Sequence, residues 1–536
     1  MTDRVTTDRR AVLTGAAAAG AVALTGCAER PIPGALGGTD MARGHRLRRG
    51  DFPAPSREEH TRVAILGGGV AGLSAAWTLA EAGVTDFRLL ELEDRAGGNA
   101  RAGRNAVSAY PLGAHYLPIP NPEATGVLRL LERLGIVTGW DGGKPVFDPY
   151  SIVADPDERL LHLGRWQEGL VPTRGLTAID RADLDGFFAA MARYRDRTGA
   201  DGRPAFALPM ELSSRDPDLL ALDRLSFTDW LHAQGWRSPM LHAHVRYGCC
   251  DDYGTEPHEV SAWAGIHYWA GRRGAAANCD GDAVLTWPEG NGYLTGRMAA
   301  RLRAHVAPAR IAFRVARTAD GVAVDSYDVA AKTTIRTHAE AAVLATPRFV
   351  TARLLGEDAS DFGYAPWIVA NVTVDRPPAG PGAARAWDNV SWTSRSLGYV
   401  VAGHQSLSSV PGPTVLTWYM ALSDQPPAAA RRRLLTEPLE AWQRLVRDDL
   451  LQTNPDLDGA IRRIDVWRWG HAMIRPVPGF FWSGAREAAA RPRPPLFFAH
   501  ADLSGLSLFE EANFRGVKAA EDAMRHLGVA HRSVLT

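Results

Sequence analysis

Lysine is almost missing from this chain of 536 residues. Only Lys144, Lys332 and Lys518 occur, and arginine supplies the rest of the 60 basic residues. There are also 60 acidic residues, so the formal net charge is zero. A neutral chain has no general attraction for a phosphate backbone, so composition gives no case for binding nucleic acid. The length allows two substantial cores, and more than one domain is expected.

Long apolar runs are also lacking. The weakly apolar stretch 11–25 is too short to cross a bilayer as a permanent helix. Residues 7–13 before it resemble a twin-arginine export signal, and Leu24-Thr25-Gly26-Cys27 after it resembles a bacterial lipobox. The resemblance implies acylation at Cys27; ordinary signal cleavage with an incidental Cys27 is the alternative. We expect a signal over 1–27, passage through the export machinery, and a periplasmic or cell-surface protein whose membrane contact is a lipid on Cys27.

The segment after the signal is rich in proline, glycine and arginine and has no hydrophobic period. Such a composition predicts a flexible tether over 28–60. Cysteine is scarce, and beyond Cys27 only Cys249, Cys250 and Cys279 occur. Their spacing matches no zinc pattern, so no metal site is predicted. Three buried thiols are expected, with a disulfide from Cys279 to one of the adjacent pair as the alternative outside the cytoplasm.

The most informative stretch runs from residue 62 to residue 99. Residues 63–66 form a short apolar run typical of a buried parallel strand, and residues 87–90 form a second one. The Ala- and Leu-rich stretch 71–82 between them predicts a helix that Gly83 can end. The order strand, helix, strand is that of a βαβ unit.

A G-x-G-x-x-G pattern lies where the first strand meets the helix, at Gly67, Gly69 and Gly72. Gly67 permits the tight turn, Gly69 lets the backbone approach a pyrophosphate, and Gly72 lets the helix pack on the strand. The helix N-terminus at Val70 and Ala71 offers free N–H groups and a partial positive charge to the phosphates. The pattern therefore predicts a dinucleotide site.

Glu91 closes the second strand, where an acid accepts hydrogen bonds from a ribose and disfavours the 2′-phosphate of NADP. A glycine-rich turn without a ligand is the alternative, but it would not need this acid. From Glu91 the chain continues as E-x-x-x-R-x-G-G through Arg95, Gly97 and Gly98. This resembles the FAD superfamily of amine oxidases, phytoene desaturases and protoporphyrinogen oxidase. The resemblance implies FAD, with Arg95 and the paired glycines close to it.

The same resemblance implies a fold class: α/β, with a discontinuous Rossmann-type FAD-binding domain and an inserted α+β substrate domain. We assign the FAD-binding domain to 61–120, 284–350 and 490–530. The substrate or cap domain takes 121–283 and 351–489.

Residues 110–116 correspond to a segment that returns toward the flavin in the superfamily. Gly113 and Ala114 are small enough for a close approach to the cofactor. His115 then becomes a catalytic candidate beside the isoalloxazine, with a purely structural histidine as the alternative. The Trp-rich segment around Trp469 supplies a second catalytic candidate, His471, which faces either the substrate cavity or the sheet packing.

Two further segments are matched to the cofactor by resemblance. Val315 corresponds to a residue beside the backbone that contacts adenine. Residues 496–502 predict a buried strand ending in Asp502, which the resemblance places on the ribityl or phosphate-side hydroxyls. A helix then begins near residue 510, and its N-terminus, with Ala512, is expected to face the flavin.

Many aromatic residues and two adjacent acids occur in the predicted cap. The aromatic faces suit an apolar or cationic substrate, while core packing is the alternative for most of them. Asp251 and Asp252 either orient a cation or lie in a solvated loop. The aromatic set is Trp230, Trp236, Tyr247, Tyr253, Trp263, His267, Tyr268 and Trp269.

These observations predict an FAD-dependent oxidoreductase that removes a hydride from an amine or an apolar small molecule. No second dinucleotide motif follows a strand, so oxygen or another acceptor is expected to reoxidise the flavin. Many amine oxidases of the superfamily keep a lysine near the flavin and a tyrosine that aligns with Leu508 here. Both departures weaken the amine interpretation. A desaturase- or isomerase-like enzyme, a non-catalytic exported flavoprotein and an NAD-dependent enzyme remain alternatives.

Overall fold

The computed structural model describes residues 31–407 and 410–535. The predicted signal 1–27 and the Cys27 anchor lie outside the described residues. Within the described ranges, no helix is both long enough and apolar enough to cross a bilayer. Mixed α/β architecture is confirmed, with two large sheets and helices packed on both.

The first large sheet has seven strands and contains the predicted βαβ unit. Five of its strands run parallel in the spatial order 306–307, 87–90, 57–66, 333–344 and 496–498. The other two form an antiparallel meander with the first half of strand Thr333–Leu344. The strands of this sheet are Arg57–Leu66, Phe87–Leu90, Val306–Ala307, Arg310–Thr318, Gly321–Asp328, Thr333–Leu344 and Leu496–Phe498.

The second large sheet has eight strands and is built from the middle of the chain. Its central strand Tyr364–Val374 is buried at every residue and pairs antiparallel with Thr414–Ala421 and Ile461–Ile474. The remaining strands are Leu36–Gly38, Glu158–His162, Arg165–Glu168, Asp388–Ser391 and Tyr399–Val401. Three two-stranded sheets are formed by Ala102–Arg104 with Ala109–Pro111, Leu117–Pro118 with Val284–Leu285, and Val137–Asp141 with Lys144–Phe147.

Helices cover both sheets and also form a bundle of their own. The bundle core contains the aromatic rings of Phe187, Phe227, Trp230 and Trp263. The helices are Met41–Arg49, Val70–Glu81, Thr125–Arg133, Ala178–Asp196, Pro217–Ala221, Phe227–Ala233, Pro239–Tyr253, Ala262–Ala270, Gly292–Arg301, Arg348–Leu355, Pro427–Thr436, Leu439–Thr453, Ala485–Ala490 and Phe509–His526. Core packing therefore accounts for most of the aromatic residues noted in the sequence.

The prediction of a flexible tether over 28–60 is wrong for its described part. Leu36–Gly38 is a strand that pairs in parallel with residues 466–468 of the second sheet. Met41–Arg49 is a helix, and Arg353 donates hydrogen bonds to the carbonyls of Leu47 and Arg48. Phe52 then stacks on Phe313 with ring centroids 4.2 Å apart. Composition does not reveal this docking, because the segment is held by backbone pairing and by single side chains and has no periodic pattern of apolar residues.

Other sequence boundaries are corrected by smaller amounts. The predicted strand 496–502 ends at Phe498, and Asp502 lies in a short 3-10 turn, Ala501–Leu503. The helix that begins at Pro239 extends to Tyr253. It therefore carries Asp251 and Asp252 in its last turn, so these acids are not in a solvated loop. Cys249 and Cys250 are buried free thiols, and Cys279 is a half-buried one.

Candidate functional site

The parallel strands of the first sheet end at one shared edge, and the predicted cofactor residues follow directly from it. Backbone hydrogen bonds continue across this edge from Gly67 to Leu90, from Ala345 to Leu66 and from Ala499 to Leu344, at 2.7 to 2.9 Å. Three strand spacings, about 14 Å, separate the strand that leads to Glu91 from the one that leads to Asp502. Segments from near both ends of the chain therefore reach the same sheet edge, where the sequence predicts the cofactor crevice.

The glycine-rich turn is as tight as its sequence requires. Gly67 has a φ of 102°, and a Cβ there would lie 2.5 Å from the carbonyl oxygen of Ala345. The helix Val70–Glu81 starts directly after Gly69 and has no side-chain cap. Its first N–H groups therefore remain available to an anion.

The second glycine pair closes onto the first loop. Gly97 donates its backbone N–H to the carbonyl of Gly68 at 2.8 Å. A Cβ on Gly98 would come within 2.9 Å of the Cα of Gly69. Two backbones thus approach each other with no side chain between them, which leaves the bare peptide groups to line the crevice.

Glu91 lies buried at the end of its strand. Its carboxylate accepts hydrogen bonds from the backbone N–H of Gly68 at 2.7 Å and of Glu93 at 2.8 Å. Burial raises the pKa of Glu91, while these two amides and Arg101 oppose the shift. The carboxylate is thus held in one orientation beside the glycine-rich turn.

The C-terminal helix Phe509–His526 packs directly on the first helix of the βαβ unit. Asn513 donates a hydrogen bond to the Ser74 hydroxyl at 3.0 Å. The helix starts at Phe509 without a side-chain cap, and Ala512 lies half-buried in its first turn. Two uncapped helix N-termini therefore converge on the crevice.

Asp502 is 1% exposed, and its carboxylate is held by protein groups. It accepts hydrogen bonds from the Arg348 amide at 2.8 Å and the Tyr364 hydroxyl at 2.6 Å, and His500 lies 3.0 Å away. Burial alone would raise the pKa of Asp502, but His500, Tyr364 and the Arg348 amide outweigh it and lower that pKa. Its carboxylate thus organises this end of the crevice.

Two further predicted cofactor residues, Val315 and Arg95, occupy different environments. Val315 is buried and packs in the apolar cluster that contains Leu66 and Leu90, the last residues of two strands at the edge. Arg95 is exposed in the turn after Glu91. No direct contact in the described residues assigns either one a role, so both stay predictions.

Gly113, Ala114 and His115 lead from the crevice into the second sheet. A Cβ on Gly113 would lie 2.5 Å from the carbonyl oxygen of Asn99, and Ala114 donates its N–H to the same oxygen at 3.2 Å. His115 follows and packs against the Tyr419 ring at a centroid distance of 4.7 Å. Burial lowers the pKa of His115 to about 4, so its imidazole is neutral at neutral pH.

A set of tyrosines and carboxylates lies next to His115, whose ring packs on two of the tyrosines, Tyr116 and Tyr419. We call Tyr116, Tyr247, Asp251, Asp388 and Tyr419 the acid–tyrosine cluster. The Tyr247 and Tyr419 hydroxyls donate to the two oxygens of Asp388 at 3.3 and 3.4 Å. The Tyr116 hydroxyl donates to Asp251 at 3.3 Å. The cluster joins a helix, two strands of the second sheet and the loop that leaves the crevice.

The carboxylates of the cluster are strongly desolvated. Burial, followed by the charge of Asp252, raises the pKa of Asp251 to about 7, although Arg272 opposes this. Burial, followed by Glu158 and Asp251, raises the pKa of Asp388 well above its ordinary value. Each acid is therefore protonated at a higher pH than a solvated aspartate, and a positive charge beside it would oppose this shift.

His471 lies apart from this cluster. Its ring packs on Phe349 at a centroid distance of 4.6 Å and on Tyr364 at 5.6 Å. Since Tyr364 donates to Asp502, His471 lies at the Asp502 end of the crevice, whereas His115 packs against the acid–tyrosine cluster. The two catalytic candidates are therefore not brought into one group.

Sequence reasoning missed Asp388 and Tyr419. Tyr419 stands in an apolar strand, where it reads as ordinary core. Asp388 starts a four-residue strand that is too short for a period to show. The one sequence signal for this part of the site was an acid, Asp388, directly after Trp387.

Comparisons with known proteins agree with this geometry. Residues 65–134 match the family described as an NAD(P)-binding Rossmann-like domain. The chain is 43% identical over 82 residues to tryptophan 2-monooxygenase of Pantoea agglomerans pv. gypsophilae, 14% of each chain. It is 25% identical over 275 residues to a flavin-containing amine oxidase of Oncorhynchus mykiss, 50% of this chain and 47% of the relative. The chain thus spans less than half the length of these curated relatives.

Solved structures extend the likeness to the whole fold. Putrescine oxidase bound to putrescine superposes with a TM-score of 0.64 at 15% identity, over 87% of this chain and 100% of that one. Cyclohexylamine oxidase from Brevibacterium oxydans gives 0.62 at 16% identity, over 87% and 99%. A fatty acid isomerase from P. acnes gives 0.58 at 15% identity, over 87% and 98%. This chain has the fold that these proteins share.

Proposed function

We propose that this protein is an FAD-dependent oxidoreductase that oxidises an amine, with oxygen or another acceptor taking the electrons afterwards. The observation that carries the proposal is the crevice itself, where two glycine loops, two uncapped helix N-termini and Glu91 meet at one sheet edge. These features suit a dinucleotide with a pyrophosphate and a ribose. The flavin-containing relatives support FAD as that dinucleotide.

The residues present fit FAD. The uncapped N-terminus before Val70 would hold the pyrophosphate, and Glu91 would accept hydrogen bonds from the ribose hydroxyls. Bound at these residues, FAD would supply the acceptor for a hydride from the carbon next to nitrogen. The neutral His115, at the mouth of the acid–tyrosine cluster, would orient the substrate as an uncharged hydrogen-bonding group.

The cluster favours an amine over an apolar acid. A fatty acid brings a carboxylate, and the acid–tyrosine cluster contains no cationic side chain to pair with it. An ammonium group is attracted by Asp251 and Asp388 and by the tyrosine faces. An isomerase-like reaction on a fatty acid is therefore the weaker candidate, despite the shared fold.

The purified protein tests this proposal. We expect a yellow protein with about one FAD per chain, bleached under anaerobic conditions by a suitable amine and coloured again by air. A colourless protein that binds NAD would overturn the cofactor assignment. A yellow protein that bleaches only with polyprenoids or fatty acids would overturn the substrate class. A yellow protein that none of these amines, polyprenoids or fatty acids bleaches would support the non-catalytic alternative.

We further propose export through the twin-arginine route and lipid attachment at Cys27, which places the enzyme in the periplasm or at the cell surface. The support is the sequence of residues 7–27. Fractionation of cells expressing the wild-type chain and the Arg9→Lys/Arg10→Lys and Cys27→Ala variants tests it. Retention of the double variant in the cytoplasm and release of the Cys27→Ala protein are expected, and unchanged fractions would refute each part.

A further inference from the structure

The N-terminal segment connects the second sheet to the cofactor crevice, and we call residues 36–49 the N-terminal strap. It starts as the edge strand Leu36–Gly38 of the second sheet and continues as the helix Met41–Arg49. A Cβ on Gly37 would lie 2.6 Å from the Trp467 ring, so the strand packs closely on that sheet. The strap is therefore held in place at its start.

Glu93 links the strap to the acid that is expected to hold the ribose. The backbone N–H of Asp40 donates to the Glu93 carboxylate at 2.9 Å, and the N–H of Glu93 donates to Glu91 at 2.8 Å. The Glu93 carboxylate also pairs with Arg101 at 3.2 Å. Since Arg101 donates to the carbonyl of Gly98 at 3.2 Å, Glu93 connects the strap to both loops of the crevice.

Arg43 of the strap contacts the loop after Glu91 on either side of Glu93. Its guanidinium donates to the carbonyl of Leu92 at 3.0 Å and pairs with Asp94 at 2.8 Å. The Arg43 side chain is 16% exposed, so its bond to Leu92 is shielded from water, whereas the exposed Asp94 contributes little. The three residues that follow Glu91 thus each contact the strap.

The last turn of the strap is anchored at the Asp502 end of the crevice. Arg353 donates to the carbonyls of Leu47 and Arg48 at 2.7 and 2.6 Å. Arg353 belongs to the helix Arg348–Leu355, whose first N–H donates to Asp502 at 2.8 Å. The strap therefore contacts the elements that form both ends of the crevice.

From these contacts, we propose that the N-terminal strap is part of the cofactor site, where it closes the ribose end of the crevice and slows the exchange of FAD. Arg43 is then a positioning residue, because it acts on the ribose through the loop that carries Glu91. The inference deepens the proposed function and rests on its cofactor. The loop 92–94 moves away from the ribose only after the strap has released it, so undocking of the strap limits the loss of FAD.

The rate of FAD release from the purified holoenzyme tests the role of Arg43, with the rise in flavin fluorescence after dilution as the measurement. Arg43→Ala should release FAD at least tenfold faster than the wild type. Arg43→Lys keeps the charge but not the planar fork of donors, and its rate should lie between the two. Arg49→Ala is the matched control from the same helix, since Arg49 pairs with Asp51 outside the loop, and it should change the rate less than twofold.

A pair of glycine variants tests the docked strand in the same assay. Gly37→Ala places a Cβ against the Trp467 ring and should speed FAD release at least tenfold. Gly44→Ala, in the helix of the strap, adds a Cβ with nothing within 4 Å and should change the rate less than twofold. If Gly37→Ala does not fold, Arg43→Ala carries the test.

A second measurement separates an effect at the ribose end from a general loosening of the fold. FMN lacks the adenosine half of FAD, so its binding does not involve Glu91. In titrations of apoprotein prepared from the holoenzyme, Arg43→Ala should weaken FAD binding at least tenfold and change FMN binding less than twofold. The visible spectrum of the FAD that remains bound should match the wild type, because the flavin ring lies away from the ribose.

The outcomes distinguish this inference from the proposed function. A colourless protein contradicts the proposed function and the role of the strap together. A yellow protein whose Arg43→Ala and Gly37→Ala variants release FAD at the wild-type rate keeps the function and refutes the strap. Equal losses of FAD and FMN affinity in Arg43→Ala would also refute it, since the effect would then not lie at the ribose end.

Discussion

The carboxylate of Glu91 is hydrogen-bonded to the backbone N–H of Gly68 at 2.7 Å, which ties the end of one strand to the turn that ends its neighbour. This contact fixes the acid beside the loop that would hold the pyrophosphate. A ribose at this place would find an acceptor that is already oriented, so little ordering entropy is lost on binding.

Glu91→Ala should therefore weaken FAD binding at least tenfold, because the hydroxyl acceptor is lost and the Gly68 amide is left without a partner. Glu91→Gln keeps one acceptor oxygen and should lose less. The flavin-to-protein absorbance ratio after dialysis measures the effect. Glu340→Ala, at an exposed acid paired with Arg62, is the matched control, and an equal loss in both proteins would contradict the assignment.

Gly98→Ala should abolish flavin retention. Its Cβ would lie 2.9 Å from the Cα of Gly69, so the two loops must separate. Gly296→Ala is a fitting control, because that helical glycine has nothing within 4 Å of the added Cβ and should gain about 0.5–1 kcal/mol of stability. Flavin content and thermal unfolding distinguish the two. Normal flavin content in Gly98→Ala would show that the loops do not hold the cofactor.

The docked N-terminal segment should resist trypsin although it contains several arginines. Met41–Arg49 is held by Arg353 through the carbonyls of Leu47 and Arg48, at 2.7 and 2.6 Å. Arg353→Ala removes both bonds and should make this helix cleavable, with a loss of about 1–2 kcal/mol in the free energy of unfolding. If trypsin cleaves the wild type as fast as the Arg353→Ala protein, the segment is a flexible tether, as its composition suggests.

The buried acids should make the substrate-free protein less stable as the pH rises. Burial raises the pKa of Asp251, Glu158 and Glu510 to about 7, whereas the unfolded chain keeps values near 4. The folded state thus holds more protons between these values, and its stability falls as pH rises from about 4 to 7. Melting temperatures from pH 5.5 to pH 8 measure this. Asp251→Asn should flatten the dependence, and an unchanged slope would contradict the raised pKa.

The cofactor crevice could be predicted from the sequence because its requirements are local. The tight turn at Gly67 and the close approach at Gly98 admit few residues other than glycine. The glycine motif is therefore recognisable in the sequence. Glu91 is also recognisable, because it directly follows the short apolar strand Phe87–Leu90. The meeting of residues 62–99 with the C-terminal helix needed the family resemblance, since no local signal brings distant segments together.

The acid–tyrosine cluster could not be predicted in the same way. Asp251, Asp388 and Tyr419 come from a helix and two strands that are far apart in sequence. Taken alone, each of them is equally well explained as a structural residue. The docked strand Leu36–Gly38 escaped for a different reason: its partners are backbone groups at residues 466–468, and backbone pairing leaves no mark in composition. Long-range contacts, and not local patterns, decided both cases.

If Cys27 is acylated as proposed, the docked strand Leu36–Gly38 would limit how far the folded body can lie from a membrane. Just before it, Ile32 accepts a hydrogen bond from the Gln443 side chain at 3.1 Å, and Ile32 lies five residues after Cys27 in the sequence. Five extended residues reach about 18 Å at most. A chain acylated at Cys27 would keep the Gln443 side of the second sheet close to the lipid head groups. This short connection would restrict how the folded protein is oriented on the bilayer.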